Sequence, residues 1–291
     1  MPELTVLAAG LLTTVQDDGR PGHAHLGIPP SGALDRPSYA LANRLVGNAC
    51  GLAALEMTFG GLTVVADRHT VVAVTGPPAP VLVDSCAAGI NAPIALLRGQ
   101  VLSIGRPATG VRNYLAIGGG IDAPRVYGSC ATDVLSGIGS PPVSAGDRLP
   151  LGVAFAEPAW VDLVPVRPLP ETLHLRLHPG PREDWFSPGA PEGLYRSRFR
   201  VSPNSNRVAV RLSGPVVHRI HERELPSEGV VTGAVEVPPN GQPLIFLADH
   251  PTTGGYPVIG VVEAADLPQL GQARPGMLVR FTGTYTRGPR Q

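Results

Sequence analysis

Glycine and proline break this chain so often that long helices are excluded: 36 glycines and 33 prolines stand among its 291 residues. Average usage would place the two together at roughly 12% of a chain, and here they approach a quarter. Glycine weakens the interior of helices and strands, and proline removes a backbone donor, so the regular segments between them stay short. Those segments are β-branched. Residues 4–7, 62–66, 70–75, 81–83, 94–97, 101–104 and 111–117 read as short strands, at intervals that suit a sandwich or a barrel. Strands resume at 173–177, 208–212, 244–247, 258–262 and 277–282. Between the two sets lies the proline-punctuated stretch Glu157 to Thr172, which reads as a semi-rigid connector. The expectation is a mainly β chain of two domains, an N-terminal one over residues 1–160 and a C-terminal one over 173–291.

One helix is signalled. Asp35 is placed to cap it, Pro37 lies in its first turn, Tyr39, Ala42, Leu45 and Val46 form an apolar face, and Gly47 stands just past its end. Residues 180–186 read as a short helix or turn that seats Trp185 and Phe186 in a core.

Composition removes several chemistries. Hydrophobic residues make up 43% of the chain and charged ones 16%, which excludes disorder as the main description. Every one of the 23 basic residues is arginine. The chain therefore supplies no P-loop lysine, Schiff-base lysine, biotinyl-lysine or kinase-type lysine. The formal net charge is zero and the arginines are scattered, which argues against nucleic acid as a partner. No apolar run approaches the roughly 20 residues of a membrane span, so a soluble cytoplasmic protein is expected. Cys50, Cys86 and Cys130 lack metal-ligand spacing and read as reduced core or loop residues. The pairs His23/His25 and His218/His221 have no Cys or acidic partner at a diagnostic interval, so no metal site is expected.

Four polar, glycine-rich loops could carry chemistry. The first, between Gly10 and Asn48, holds Gln16, Asp17, Arg20, His23, His25, Ser31, Asp35 and Asn43. Polar side chains on a frame stiffened by proline lose little freedom on binding. The second runs from Ala248 to Pro257 and contains Thr252, Thr253, Gly254, Gly255 and Tyr256. Its two hydroxyls and backbone N–H groups could converge on an anion or a carbonyl oxygen. The third spans Gly118 to Asp133, without a dinucleotide or P-loop spacing. In the fourth, Pro226 to Pro238, Glu228 and Glu236 bracket an alternating strand. Each loop also reads as an ordinary turn between strands, and no nucleophile elbow or zinc helix is present.

Taken in order, these loops resemble a known family. The carrying stretches are 10–22, Ser31-Gly-Ala-Leu-Asp35, Ala42 to Asn48, Leu55-Glu56, Gly119-Gly-Ile-Asp122, Ser205-Asn-Arg207, Gly241-Gln-Pro243 and Thr252-Thr-Gly-Gly-Tyr-Pro257. They are similar to the biotin-dependent carboxyltransferase family, which groups the PxpC component of bacterial 5-oxoprolinase, KipA and the allophanate hydrolase subunit 2-like region of urea carboxylase. The resemblance implies cyclophilin-like β-barrel units and an obligate PxpB/KipI-like partner. With a PxpA-like protein, such a pair opens the lactam of 5-oxo-L-proline to L-glutamate at the expense of Mg-bound ATP, with no covalently bound cofactor on this chain. It also leaves open a KipA-like regulatory role and a carboxyltransferase role. Under it, Asp17, Arg20 and Asp35 are the expected catalytic residues. Gln16, Asn43, Arg207, Thr252, Thr253, Gly254, Gly255 and Tyr256 are the expected substrate-binding ones. Three positions in two places depart from the family pattern: Gly128-Ser-Cys130-Ala131-Thr132 stands in place of the usual Gly-Ser-Arg-Ser-Thr, and Glu236 in place of a common glutamine.

Overall fold

The computed structural model describes residues 2–153, 157–159, 161–223 and 225–283. The chain divides into two compact units, residues 1–23 with 30–169, and residues 24–29 with 170–291.

The first unit contains eleven strands among its described residues: β1 (Glu3–Ala9), β2 (Leu12–Gln16), β3 (Ala54–Thr58), β4 (Leu62–Ala66), β5 (Thr70–Thr75), β6 (Val81–Val83), β7 (Cys86–Ala87), β8 (Pro93–Leu96), β9 (Val101–Ile104), β10 (Arg112–Ile117) and β11 (Arg148–Pro150). They form a six-stranded sheet in the order β11-β1-β4-β9-β6-β7 and a five-stranded sheet in the order β2-β3-β10-β5-β8. Leu4, Val64 and Leu102 from one sheet and Met57, Val74 and Leu115 from the other meet in a shared core. The five-stranded sheet is buried on both faces along β2, β3 and β10. Its outer face carries helix α1 (Arg36–Leu45), whose Tyr39, Ala42 and Leu45 pack on Ala54, Ala73, Tyr114 and Ala116. That is why all six residues of β10 are buried: alternate side chains enter different cores.

The helix follows its sequence signals. Asp35 caps it and Pro37 lies in its first turn, while Gly47, just beyond it, takes a positive φ of 72°. The expected connector is partly fastened: Ala159 N–H donates to Leu45 O at 3.1 Å, and Val164 N–H to Asn91 O at 2.9 Å. Trp160, within that stretch, lies outside the described residues.

The second unit contains β12 (Thr172–Pro179), helix α2 (Ala190–Arg196), β13 (Phe199–Val201), β14 (Ala209–Ser213), β15 (Glu228–Gly229), β16 (Ala234–Glu236), β17 (Leu244–Phe246), β18 (Thr253–Gly254), β19 (Val258–Val262), helix α3 (Leu267–Gly271) and β20 (Leu278–Thr282). Seven strands close a barrel in the order β12-β19-β16-β17-β14-β13-β20. Closure comes from a parallel pairing of β12 with β20, Thr172 opposite Leu278 and Arg176 opposite Thr282. Trp185 and Phe186 are buried next to the short turn Glu183–Trp185, as the sequence suggested. β15 and β18 pair separately as a two-stranded ribbon.

The chain is thus mostly β with few short helices, as expected, and the second unit is a closed barrel. In the first unit the strands lie in two sheets that share one core. One expectation needs correction: Glu228 and Glu236 do not bracket a single strand. A turn at Thr232 and Gly233 splits the segment, sending β15 to the ribbon and β16 to the barrel.

Candidate functional site

In the first unit the loop leaving β2 is fastened to the segment 126–133. Gln16 is fully buried, and its amide donates to Thr14 Oγ1 and to Thr132 O, each at 3.0 Å. Asp17 is the hub. Its Oδ1 accepts from Gly19 N–H at 2.8 Å and from the Ser129 hydroxyl at 2.5 Å, and its Oδ2 accepts from Cys130 N–H at 2.7 Å. Arg125 stands 3.9 Å away. Ser129 Oγ also accepts from Ala131 N–H at 3.0 Å. A carboxylate so engaged organises the loop around it. Arg20 is buried beside it, its guanidinium donating to Val126 O at 3.3 Å and to Ala131 O.

Gly19 permits this packing. Its φ is 81°, and a β-carbon there would lie 2.5 Å from Pro30 O and 2.7 Å from Ser31 O. Gln16 Oε1, Thr132 Oγ1 and Ser31 Oγ are buried polar atoms with no hydrogen-bond partner. They are the side-chain oxygens these two segments leave open.

Cys130 and Ala131, the departures seen in the sequence, contribute through the backbone. Cys130 N–H binds Asp17, and Ala131 O receives Arg20. The Cys130 thiol points to Ala123 O at 3.1 Å, and burial raises its pKa. Replacing side chains there leaves these backbone contacts in place.

Asp35 and Asn43 belong to α1 and its cap. The Asp35 carboxylate accepts from Ser38 N–H at 3.2 Å and Ser38 Oγ–H at 2.8 Å, and its own N–H donates to Tyr114 Oη at 2.8 Å. Tyr114 donates to Glu56 Oε2 at 2.7 Å, and Glu56 also accepts from Leu34 N–H at 3.0 Å while facing Arg112 at 3.3 Å. Burial first, then the Glu56 charge, holds the Tyr114 phenol well above its ordinary pKa, so it stays a donor. Asn43 donates to Leu52 O at 3.1 Å and accepts from Asn48 at 2.8 Å. Asp35 and Asn43 therefore shape the helix ends and the loop that follows.

In the second unit Arg207 forms a bidentate pair with Asp249, Nε to Oδ2 at 2.9 Å and Nη2 to Oδ1 at 3.0 Å, both residues fully buried. The pair clamps the start of the loop that holds Thr252 to Tyr256. Further along, Val230 N–H donates to Thr252 O at 3.0 Å, Leu225 N–H to Gly255 O at 3.0 Å, and Val237 N–H to Pro257 O at 3.1 Å. Thr253 is exposed. Beneath the loop lies Glu236, buried, with Oε1 unpartnered and its pKa raised by burial to about 7.

Sequence reasoning found the loops and missed their fasteners: Ser129, Tyr114, Glu56 and Asp249. Glu56 had a signal, since a carboxylate inside the otherwise apolar strand Ala54–Thr58 must find buried partners.

Comparison with known proteins follows the same lines. The model of the carboxyltransferase domain, subdomain A and B, matches residues 26–283. The chain is 40% identical to a 5-oxoprolinase subunit of Escherichia coli, over 96% of this chain and 90% of that protein. It is 33% identical to urea amidolyase of Saccharomyces cerevisiae, over 96% of this chain and 16% of that one. Among solved structures, TTHA0988 superposes with a TM-score of 0.87 at 40% identity, covering 97% of this chain and 56% of the other. The Kluyveromyces lactis urea amidolyase gives 0.88 at 31% identity, covering 96% and 18%. This chain thus spans just over half of TTHA0988 and less than a fifth of the amidolyase.

Proposed function

Because the chain belongs to the carboxyltransferase domain family, subdomains A and B, we propose that it forms part of an ATP-dependent 5-oxoprolinase. The assembled enzyme opens 5-oxo-L-proline to L-glutamate as ATP is hydrolysed, with Mg-bound ATP as cosubstrate, and it works in the cytoplasm. The observation that carries this reading is the 40% identity to a 5-oxoprolinase subunit over nearly the full length of both chains. A second relative of that description, from Haemophilus influenzae, is 32% identical over 92% of this chain. Among the described residues no helix is long and apolar enough to cross a membrane.

The lactam is an unreactive amide. Transfer of the γ-phosphoryl group to its oxygen releases ADP and leaves an electrophilic carbon. One water attacks that carbon and the C–N bond breaks, the ring nitrogen leaving as the free amine and an acyl phosphate remaining; a second water cleaves that acyl phosphate to glutamate and inorganic phosphate. Negative charge develops on carbonyl and phosphoryl oxygens, for which hydroxyl and backbone N–H donors are fitting partners. With no lysine in the chain, phosphate contacts fall to arginine, backbone N–H groups or partner subunits. On this reading Thr252, Thr253, Gly254, Gly255 and Tyr256 face the substrate, and Arg207 fixes the loop through Asp249. Asp17, Arg20 and Gln16 set the first unit's polar loop, and Asp35 and Asn43 hold the helix behind it. The partners are a PxpB/KipI-like protein and a PxpA-like protein.

The urea amidolyase relatives favour one alternative, a carboxyltransferase role, in which biotin must arrive on another chain. Reconstitution with the PxpB-like and PxpA-like proteins, followed by a glutamate-release assay, separates the two. Release is expected only with 5-oxoproline, ATP and all three proteins present. Thr253→Ala, at an exposed position, is expected to lower turnover by about ten- to a hundredfold without shifting thermal unfolding. No release from the full assembly overturns the reading.

A further inference from the structure

We propose that Glu236 is a positioning residue for the Thr252–Tyr256 loop, its buried carboxyl forming the seat on which the β15–β18 ribbon closes. The proposal depends on the functional reading above only in assigning a ligand to that loop.

Glu236 ends β16, just after a register shift in its pairing with β19. It is 2% exposed, and its Oε1 has no hydrogen-bond partner. Gly254 of β18 lies directly over that oxygen, so close that a methyl group there would overlap it, and Val230 borders the same place. A β-carbon at this position would have to push the carboxyl aside.

Among the described residues, nothing charged compensates the carboxyl. β17, β18 and β19 carry no titratable side chain. β15 carries Glu228, which is paired with Arg182. In the loop, Asp249 is bound by Arg207, and His250 Nδ1 lies 2.6 Å from Pro251 O; Tyr256 is the remaining titratable group there. Burial is accordingly the one cause that raises the acid from its ordinary 4.5 to about 7.

The sign follows from linkage. With the ribbon closed the carboxyl keeps its proton up to about pH 7, whereas with the ribbon lifted, water restores the ordinary value of 4.5. Closure therefore takes up a proton between these limits. It is strongest at and below pH 4.5, weakens about tenfold per pH unit to about 7, and levels off above that.

Hydrogen exchange of the full-length chain between pH 4.5 and 8, corrected for intrinsic rates, tests this. The reporters are the Leu225 and Val230 amides, which bind Gly255 O and Thr252 O, and the references are the barrel amides of Leu212 and Leu247. The expected result is ribbon protection falling about tenfold per unit up to pH 7 while the references stay level, and no slope in Glu236→Gln. A flat wild-type profile, a parallel fall of ribbon and references, or an unchanged slope in Glu236→Gln overturns the proposal. Should Glu236→Gln not fold, Glu236→Met, which keeps the volume and removes the titrating group, is expected to give a level ribbon profile with the references intact, and a retained slope there overturns it. The KM for 5-oxoproline of the assembled enzyme is expected to follow the same pH slope. A level KM beside the expected exchange result supports the seat and removes the substrate from this loop, so the two readings fail separately.

Discussion

A single hydroxyl, Ser129 Oγ, joins two segments that lie far apart in sequence. It donates to Asp17 and accepts from Ala131 N–H. Ser129→Ala strands Ala131 N–H in a buried place and takes one of the two donors from Asp17 Oδ1, so a loss of about 1–3 kcal/mol is expected, read as a lower urea midpoint with unchanged slope. Arg207 and Asp249 make a sharper case. Removing either alone leaves a buried charge and is expected to cost about 3–5 kcal/mol. The double replacement Arg207→Met with Asp249→Leu is expected to cost less than the sum, and a double-mutant cycle by denaturant unfolding measures the difference. These residues also mark the limit of reading the chain directly. Asp17 stood out as an acid in a glycine-rich loop, but its engagement with Ser129 and Cys130 spans 112 and 113 positions. No local pattern encodes a contact of that range. Arg207 was expected to bind substrate, and the carboxylate it engages sits 42 positions away on another segment.

Among the elements, α1 was the most legible, because its cap, first-turn proline and apolar spacing lie within a dozen residues. Asp35→Ala is expected to cost about 1 kcal/mol through the lost cap. Tyr114→Phe, which unhooks Glu56 and Asp35 N–H at once, is expected to cost about 1–3 kcal/mol; thermal unfolding by circular dichroism ranks the two. Strands such as β4, β5, β9 and β19 were legible with their bounds, since valine and isoleucine runs end at glycine, proline or charged residues. The three-residue strand β13 was not, since it holds too few side chains for alternation to register and exists because neighbours in the barrel pair with it. β15 and β16 read as one alternating strand between Glu228 and Glu236, because the turn that parts them is only two residues long. The partner of β15 in the ribbon, the two-residue strand β18, read as turn.

For the molecule as a whole, the lysine-free composition has a direct chemical readout. An amine-reactive ester at neutral pH is expected to label no side chain within residues 1–291, so in an assembled enzyme every lysine label detected by peptide mass spectrometry falls outside them. The mainly β character was legible from glycine, proline and valine usage, and the strand spacing admitted a barrel, but the strand order that closes it was not legible, because it depends on which strands become neighbours. That closure reaches into biosynthesis. The first strand of the barrel, Thr172–Pro179, must wait for the last, Leu278–Thr282, before its edge is covered. A nascent chain emerging from the ribosome therefore carries an open, template-like edge until β20 is synthesised. A stop codon placed before Leu278 would make that exposure permanent and send the product toward inclusion bodies.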